Sequence, residues 1–294
     1  MTTDSPADGA HLCSNVTLLD VRQALAKHYR PFHALPNFAQ MFIVIALRML
    51  TKESRINRFL AENAHLNGFD FIEQVFEELK FSYDVCQSDL NNIPADGPLI
   101  IVANHPLGGL DGLSLLHLIG KVRRDVKIVA NHLLKQITPL SDLFLAVDNI
   151  AGESRKKDIR LIEKALRNRQ AVIFFPSGAV SRATSRGIRD KIWNTGFLRF
   201  AERFQSPILP IQISARNSAL FYLLSWVSAG FSLLCLPREM IGFSGLVKFS
   251  IGPKIDSNQL EKIPLSRIGK VKLIQRHVYR LSKNKSPLIM SQQK

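Results

Sequence analysis

Apolar and polar residues follow two different patterns along this 294-residue chain. Up to about residue 95 the apolar positions recur at helical spacing, which predicts helices over residues 16–29, 35–64 and 69–79. Beyond that point, short β-branched runs bounded by turn residues alternate with segments of helical spacing, which indicates an α/β domain. The predicted strands are 99–104, 126–130, 171–176, 207–213 and 247–251, and the predicted helices are 111–121, 154–169 and 191–204.

A cluster of turn-forming residues at positions 93–98 separates the two patterns and predicts the main boundary of the chain. We therefore expect a helical region over residues 1–95 and an α/β domain over residues 96–255. A basic amphipathic helix followed by a disordered tail is expected over residues 256–294, where it could lie on anionic lipid.

Residues 217–237 lie inside the α/β region and carry no charge. A stretch of this length would suffice to cross a bilayer. Serine and glycine dilute its apolar character, however, and a crossing would place the following strand on the other side of the membrane from its sheet. The stretch therefore favours a helical hairpin that dips into a membrane or covers a groove over a true span.

The net charge of +15 arises in the second part of the chain. Residues 1–95 contain 8 Lys/Arg and 11 Asp/Glu, whereas residues 96–294 contain 31 and 13. Such a basic surface favours an anionic partner, which could be nucleic acid, anionic lipid or a phosphorylated substrate. The sequence lacks RNP-like aromatics, zinc-finger spacing and a clear helix-turn-helix, which argues against nucleic acid.

The three cysteines, Cys13, Cys86 and Cys235, are isolated in the sequence. They show neither metal-ligand spacing nor a disulfide framework, so we expect no metal and a reducing compartment. Residues 1–12 are polar and lack the basic start and apolar core of a signal peptide. These features predict a protein that faces the cytosol.

The strongest chemical signal follows the first predicted strand. His105 stands at the strand end, and Pro106 excludes it from the α region, so a loop presents the imidazole. Asp111 opens the next helix, six positions on, and cannot share one helix face with His105. A loop that folds back would let the carboxylate fix the imidazole tautomer and create a general base. The alternative is a polar His and an Asp that only caps the helix.

A second motif follows the strand predicted over residues 171–176. Ser177 and Gly178 form a turn, and a group of cations comes soon after it. These cations are Arg182, Arg186, Arg189 and Lys191. The guanidinium fork donates two parallel hydrogen bonds, so arginines just beyond a strand end suit a phosphate or another anion. A solvated basic loop is the alternative for any one of them.

Asn131 and His132, at the end of the second predicted strand, repeat the pair Asn104 and His105. No glycines follow the second pair, and the next carboxylate after it is Asp142. His132 is therefore predicted to be structural or peripheral.

With both loops in view, residues 95–255 resemble the glycerolipid (lysophospholipid) acyltransferase family. Residues 104–111 are similar to the His/Asp motif of that family, and residues 175–182 are similar to its Phe-Pro-Glu-Gly-Thr-Arg block. Residues 142–148 stand where its middle block falls, and residues 207–211 resemble its last, proline-containing strand. The resemblance implies a mixed, largely parallel sheet flanked by helices, with an N-terminal helical segment before it.

Two departures resemble one branch of that family. Five residues separate His105 from Asp111 where the family usually has four, and Ser177 stands where it usually has Glu. Together with residues 215–218, these variations resemble the hemolysin-like branch, which includes relatives of the ornithine-lipid acyltransferases. The resemblance implies a lysolipid acceptor, either a lyso-amino-acid lipid such as lyso-ornithine lipid or lysophosphatidic acid.

The resemblance also implies roles for individual residues. His105 would take the proton from an acceptor hydroxyl as it attacks a thioester, and Asp111 would orient the ring. Backbone N–H groups near Gly108 and Gly109 would hold the oxyanion. The other implied substrate-binding residues are Asn104, Ser177, Gly178 and Arg182, of which Arg182 would bind an anion of the acceptor or donor.

The implied acyl donor is acyl-CoA or an acyl carrier protein, with no other cofactor. We expect the enzyme at the cytoplasmic face of the inner membrane, bound peripherally or monotopically to an anionic surface. A non-enzymatic, membrane-active or lipid-binding protein is the first alternative. A nucleic-acid-binding protein is a weaker one.

Overall fold

A computed structural model describes residues 18–28, 30–131, 134, 137–147, 153–185, 187–227 and 229–283. The helices are α1 Val21–His28, α2 Asn37–Thr51, α3 Glu53–Glu62, α4 Gly68–Leu79, α5 Gln87–Leu90, α6 Gly109–Gly120, α7 Glu153–Arg167, α8 Gly196–Phe204, α9 Ala219–Val227, α10 Ala229–Ile241, α11 Ser257–Glu261 and α12 Arg267–Arg280. The strands are β1 Tyr83–Val85, β2 Leu99–Ala103, β3 Val126–Asn131, β4 Phe144–Val147, β5 Ala171–Phe174, β6 Arg182–Thr184, β7 Gly187–Arg189, β8 Ile208–Ser214 and β9 Val247–Ile251. Short 3-10 helices cover Arg30–Ala34 and Thr138–Leu143.

Within these residues, seven strands form one sheet in the order β1-β9-β8-β2-β5-β3-β4. From β8 to β4 the neighbouring strands are parallel. β9 pairs antiparallel with β8 and parallel with β1. The remaining two strands, β6 and β7, form a separate antiparallel hairpin. The predicted mixed, largely parallel sheet flanked by helices is confirmed.

The central strand β2 is buried along its whole length, as expected for a parallel strand covered on both faces. Its side chains alternate between two cores. Leu99 and Ile101 belong to the core that α4 and α6 cover, whereas Ile100 and Val102 belong to the core that α7, α8 and α12 cover. The carboxyl end of β2 therefore stands at the middle of the sheet, between β5 and β8.

The chain before residue 96 shares the first of these cores. β1 pairs with β9 at one edge of the sheet, and α4 buries Phe71 and Ile72 against α6. The predicted boundary near residue 96 thus marks a change in secondary structure and charge rather than the edge of the core. The single helix predicted over residues 35–64 is two helices, because Lys52 adopts a left-handed backbone conformation with φ 56° between α2 and α3.

The uncharged stretch 217–237 contributes two helices, α9 and α10, which pack against each other, and α10 also packs against α2. This arrangement agrees with the predicted helical hairpin. None of the helices in the described part of the chain is long and apolar enough to cross a membrane.

The basic helix near the C-terminus is docked on the sheet. Val271, Ile274 and Val278 of α12 are buried in the second core. The buried apolar face of α12 is therefore not available to lipid. The predicted tail from residue 284 onward lies outside the described residues.

Candidate active site

Two loops meet at the carboxyl ends of β2 and β5, which are neighbouring strands in the middle of the sheet. β2 and β5 are parallel neighbours, so the loops that follow them leave from the same side of the sheet. The ring of His105, after β2, stacks on Phe175, after β5, with 4.0 Å between the ring centroids and 20° between the ring planes. The structure thus brings together the two motifs that were predicted to carry the chemistry.

The loop after β2 folds back so that Asp111 reaches His105. Nδ1 of the imidazole lies 3.0 Å from Oδ2 of Asp111; the carboxylate is fully buried, and the His side chain is 18% exposed. The approach is oblique, since Nδ1 forms no well-aligned hydrogen bond. Contacts of this kind often tighten when substrate binds. With Nδ1 directed at the carboxylate, Nε2 is the nitrogen left for a substrate.

The same carboxylate also closes the start of α6. Oδ2 of Asp111 accepts hydrogen bonds from the backbone N–H of Leu107 at 2.7 Å and of Gly108 at 3.1 Å. Burial raises the pKa of Asp111, while the contacts with His105, Leu107 and Gly108 oppose that rise. Helix capping and contact with His105 were alternatives in the sequence, and Asp111 does both.

Gly108 is required by the backbone conformation of this loop. Its φ of 82° with ψ of −123° is accessible mainly to glycine, and an added Cβ would lie 3.1 Å from Cδ2 of Leu236 on α10. Its N–H is used by Asp111, which removes it from the candidate oxyanion donors. Gly109, the first residue of α6, presents its N–H at the positive end of the helix.

Asn104 and Asn217 hold the loop from neighbouring chain segments. The Asn104 amide donates to the carbonyl oxygen of Ile213 and accepts from the N–H of the same residue, both at 2.8 Å. Asn217 donates to the carbonyl oxygen of Pro106 at 2.9 Å. Asn104, predicted to bind substrate, therefore has its amide engaged by β8. Asn217 was not predicted as a site residue, although it lies in the motif at residues 215–218.

Ser177 and Gly178 form the turn after Phe175. The Ser177 hydroxyl donates to the carbonyl oxygen of Ala179 at 2.8 Å, and Gly178 adopts a φ of 62°. Arg182 lies on β6 directly opposite Arg189 on β7. Among the described residues, no carboxylate lies within ion-pair distance of Arg182. Two residues named in the sequence analysis, Arg186 and His132, lie outside the described residues.

A carboxylate that sequence reasoning missed lies against the backbone of His105. Oδ1 of Asp190 accepts from the His105 N–H at 3.2 Å and from the Ser181 hydroxyl, and Oδ2 accepts from Nε1 of Trp193 at 2.9 Å. Burial raises the pKa of Asp190, and these hydrogen bonds oppose that rise. No motif marks Asp190, which is 85 positions from His105 in the sequence.

The chain matches the family model described as acyltransferase over residues 24–284. It belongs to this acyltransferase family. It is 28% identical to the lyso-glycine lipid O-acyltransferase of Phocaeicola vulgatus over 235 residues, which cover 77% of this chain and 82% of the relative. It is 30% identical to the protein of the same name from Bacteroides thetaiotaomicron over 207 residues, covering 70% and 74%.

A crystal structure of the 1-acyl-sn-glycerophosphate (LPA) acyltransferase PlsC from Thermotoga maritima aligns with a TM-score of 0.46 at 20% identity, over 84% of this chain and 95% of that one. The family match and the curated relatives establish an acyltransferase. They do not support the alternatives of a non-enzymatic lipid-binding protein or a nucleic-acid-binding protein.

The Asn104 amide can be tested by truncation. Asn104→Ala should lower the free energy of unfolding by about 1–3 kcal/mol, because it leaves buried backbone groups of Ile213 unpaired. Denaturant unfolding measures this loss, with Asn92→Ala as the control, since Asn92 donates one hydrogen bond to the carbonyl oxygen of Ile251 at a less buried position. Acyl transfer by Asn104→Ala should show a lower kcat and an unchanged KM. Unchanged stability with a raised KM would instead make Asn104 a substrate-binding residue.

Proposed function

We propose that this acyltransferase moves a fatty acyl group from a thioester donor to the hydroxyl of a lysolipid, with His105 as the general base. The observation that carries the proposal is the 3.0 Å contact between Nδ1 of His105 and Oδ2 of the buried Asp111. That contact leaves Nε2 to act on a substrate proton. Two relatives named lyso-glycine lipid O-acyltransferase support a lysolipid acceptor.

The reaction follows from this arrangement. Nε2 of His105 takes the proton of the acceptor hydroxyl as the hydroxyl oxygen attacks the thioester carbonyl carbon. Asp111 keeps the ring oriented and stabilises the imidazolium. The N–H of Gly109, at the positive end of α6, is the donor that we assign to the oxyanion. The carbon–sulfur bond then breaks, the thiolate takes the proton from His105, and the ester is released.

The charge near the second loop favours an acceptor with a carboxylate. The Ser177 side chain is buried and hydrogen-bonded within its own turn, so it places no negative charge there. Arg182 and Arg189 stand opposite each other at the open end of the β6–β7 hairpin. We therefore favour a lyso-amino-acid lipid over lysophosphatidic acid as the acceptor. Acyl-CoA and acyl carrier protein both supply the thioester that this chemistry needs.

An apolar surface next to the catalytic loop supports attachment to a membrane. We define the apolar face as the exposed large apolar side chains of α2 and α9. They are Phe38, Met41, Phe42, Ile43, Ile45 and Met49 on α2, and Leu220, Leu223 and Trp226 on α9. α10 packs against both helices, and its Leu236 borders Gly108. We propose that this face lies on the cytoplasmic leaflet, with the exposed Arg216 and Arg238 meeting anionic head groups.

His105→Ala should reduce acyl transfer by about 10²–10⁴-fold or more, because it removes the general base. The measurement is single-turnover transfer from acyl-CoA, and separately from acyl carrier protein, to a lyso-glycine lipid. His132→Ala is the matched control and should retain most of the activity, since the second Asn-His pair lacks the glycines and the nearby carboxylate. Equal losses in the two variants would contradict the assigned role of His105.

Arg182→Lys should raise the KM for the acceptor while kcat changes little, because lysine keeps the charge but loses the bidentate fork. Steady-state kinetics with a lyso-glycine lipid and with lysophosphatidic acid measure the effect. Arg203→Lys, an exposed arginine on α8, is the control. An unchanged KM would remove Arg182 from the acceptor site, and strict preference for lysophosphatidic acid would contradict a carboxylate head group.

Phe42→Ser combined with Trp226→Ser should weaken binding to vesicles of phosphatidylglycerol and phosphatidylethanolamine, because both side chains belong to the apolar face. Co-sedimentation at low and high salt is the measurement. The wild-type protein should be partly released by high salt and fully released only by detergent, since salt screens the cations but not apolar insertion. Ile268→Ser is the control, because this exposed residue lies on α12 at the other face of the sheet. Equal weakening by the control variant would contradict the proposed orientation.

A further inference from the structure

We propose that Asp190 is the positioning residue of the catalytic histidine, holding the His105 backbone and supplying a second negative charge beside it. This inference rests on the proposed role of His105 as general base. The proposal gives the β6–β7 hairpin a function, because Ser181 just before β6 and Asp190 just after β7 contact the backbone of His105.

Both backbone groups of His105 are bound by the segment that carries the hairpin. The His105 N–H donates to Oδ1 of Asp190 at 3.2 Å, and the His105 carbonyl oxygen accepts from the N–H of Ser181 at 2.7 Å. β2 ends at Ala103, so the sheet no longer fixes the backbone at this point. The direction of the imidazole therefore depends on Ser181 and Asp190.

Asp190 is itself held by several elements. The Ser181 hydroxyl donates to Oδ1, and Nε1 of Trp193, just before α8, donates to Oδ2. The N–H of Asp190 donates to the hydroxyl of Tyr279 on α12 at 2.8 Å. All the groups bonded to its carboxyl oxygens are donors, which suits an ionised carboxylate. These contacts thus fix the carboxyl group of Asp190 next to the backbone of His105.

A fixed anion at this place stabilises the imidazolium that forms during acyl transfer. Asp111 lies against Nδ1 of the His105 ring, whereas Asp190 lies against the backbone N–H of the same residue. The titratable and charged groups that face the His105 and Asp190 pair are Asp111 in the loop, Arg189 on β7, Tyr222 on α9 and Tyr279 on α12. Removing the charge of Asp190 should therefore weaken this stabilisation of the imidazolium.

The hairpin connects this contact to the proposed anion site. Arg182 directly follows Ser181, Arg189 directly precedes Asp190, and the two arginines pair across the hairpin. Arg189 also lies over the ring of Tyr279, with its guanidinium carbon 4.6 Å from the ring centroid. A cavity of about 260 Å³ opens here, lined in part by Ser181, Arg189 and Tyr279. An acceptor anion bound at the arginines would therefore be next to both residues that hold His105.

Asp190→Asn tests the proposal. It should lower kcat by about 10- to 100-fold with little change in the acceptor KM, because the ring loses its alignment. The acidic limb of the profile of kcat/KM against pH should move to lower pH, since a neutral amide no longer stabilises the imidazolium. The new amide of Asp190→Asn can direct its NH₂ group at the indole N–H of Trp193, which donates to Oδ2 in the wild type. Adding Trp193→Phe removes this clash between two donors. The shift of the acidic limb in the double variant then reports the loss of the charge.

Asp89→Asn is the matched control, because Asp89 is also buried and accepts from a backbone N–H, that of Ile251 at 3.0 Å, away from the site. It should lower the Tm without moving the acidic limb. If Asp190→Asn only lowers the Tm and leaves kcat and the limb unchanged, Asp190 is structural and the proposal is overturned.

Two further variants keep the test decisive. If Asp190→Asn does not fold, Asp190→Glu replaces it: this variant keeps the charge, but its longer side chain moves the carboxylate away from the 3.2 Å contact with the His105 N–H, and it should still lower kcat. An unchanged kcat in Asp190→Glu would overturn the positioning role. His105→Ala separates the two hypotheses, because full activity in that variant overturns the general base itself. An inactive His105→Ala with a wild-type pH profile in Asp190→Asn overturns only the role of Asp190.

Discussion

The buried carboxyl group of Asp111 determines the shape of the loop that joins β2 to α6. A carboxyl group with no exposed surface needs hydrogen-bond donors in place of water. Leu107 and Gly108 donate to one of its oxygens, and His105 lies against the same oxygen. These groups converge only if the loop turns back over the first residues of α6, and the left-handed conformation of Gly108 permits that turn. The longer His–Asp spacing of this chain is thus accommodated by a loop that closes on its own helix.

The loop is also held by neighbours on two sides. On one side α10 places Leu236 next to Gly108, and Asn217 binds the carbonyl oxygen of Pro106. On the other side the ends of the hairpin bind the backbone of His105. Since α10 also packs against α2 and α9, it joins the loop between β2 and α6 to the apolar face. In the proposed orientation on the membrane, this contact would set the height of His105 above the lipid.

The sequence predicts those features that arise from neighbouring residues. The β2–loop–α6 unit, the pair of His105 and Asp111 and the five main strands follow from periodicity and turn residues within short windows. The strands β1, β4, β6 and β7 were not predicted, because runs of three or four residues carry too weak a period. Asp190 was missed because its partners are distant in the sequence and meet only when the sheet forms. The stacking of Phe175 on His105 likewise depends on the order of β2 and β5 in the sheet.

The register of β2 in the sheet determines where the side chains of Asn104 and His105 lie. Successive side chains of a strand point to opposite faces, so a shift of one residue would exchange the places of Asn104 and His105. The Asn104 amide fits the backbone of Ile213 in β8, and the His105 ring fits against Phe175 and Asp111. The register is fixed by the pairing of Ile100 with Ile208 on one side and with Val172 on the other. Because β2 is fully buried, such a shift of one residue would also move its apolar side chains to the wrong core. The packing of a buried strand thus decides which of two adjacent polar residues can take the proposed role of the base.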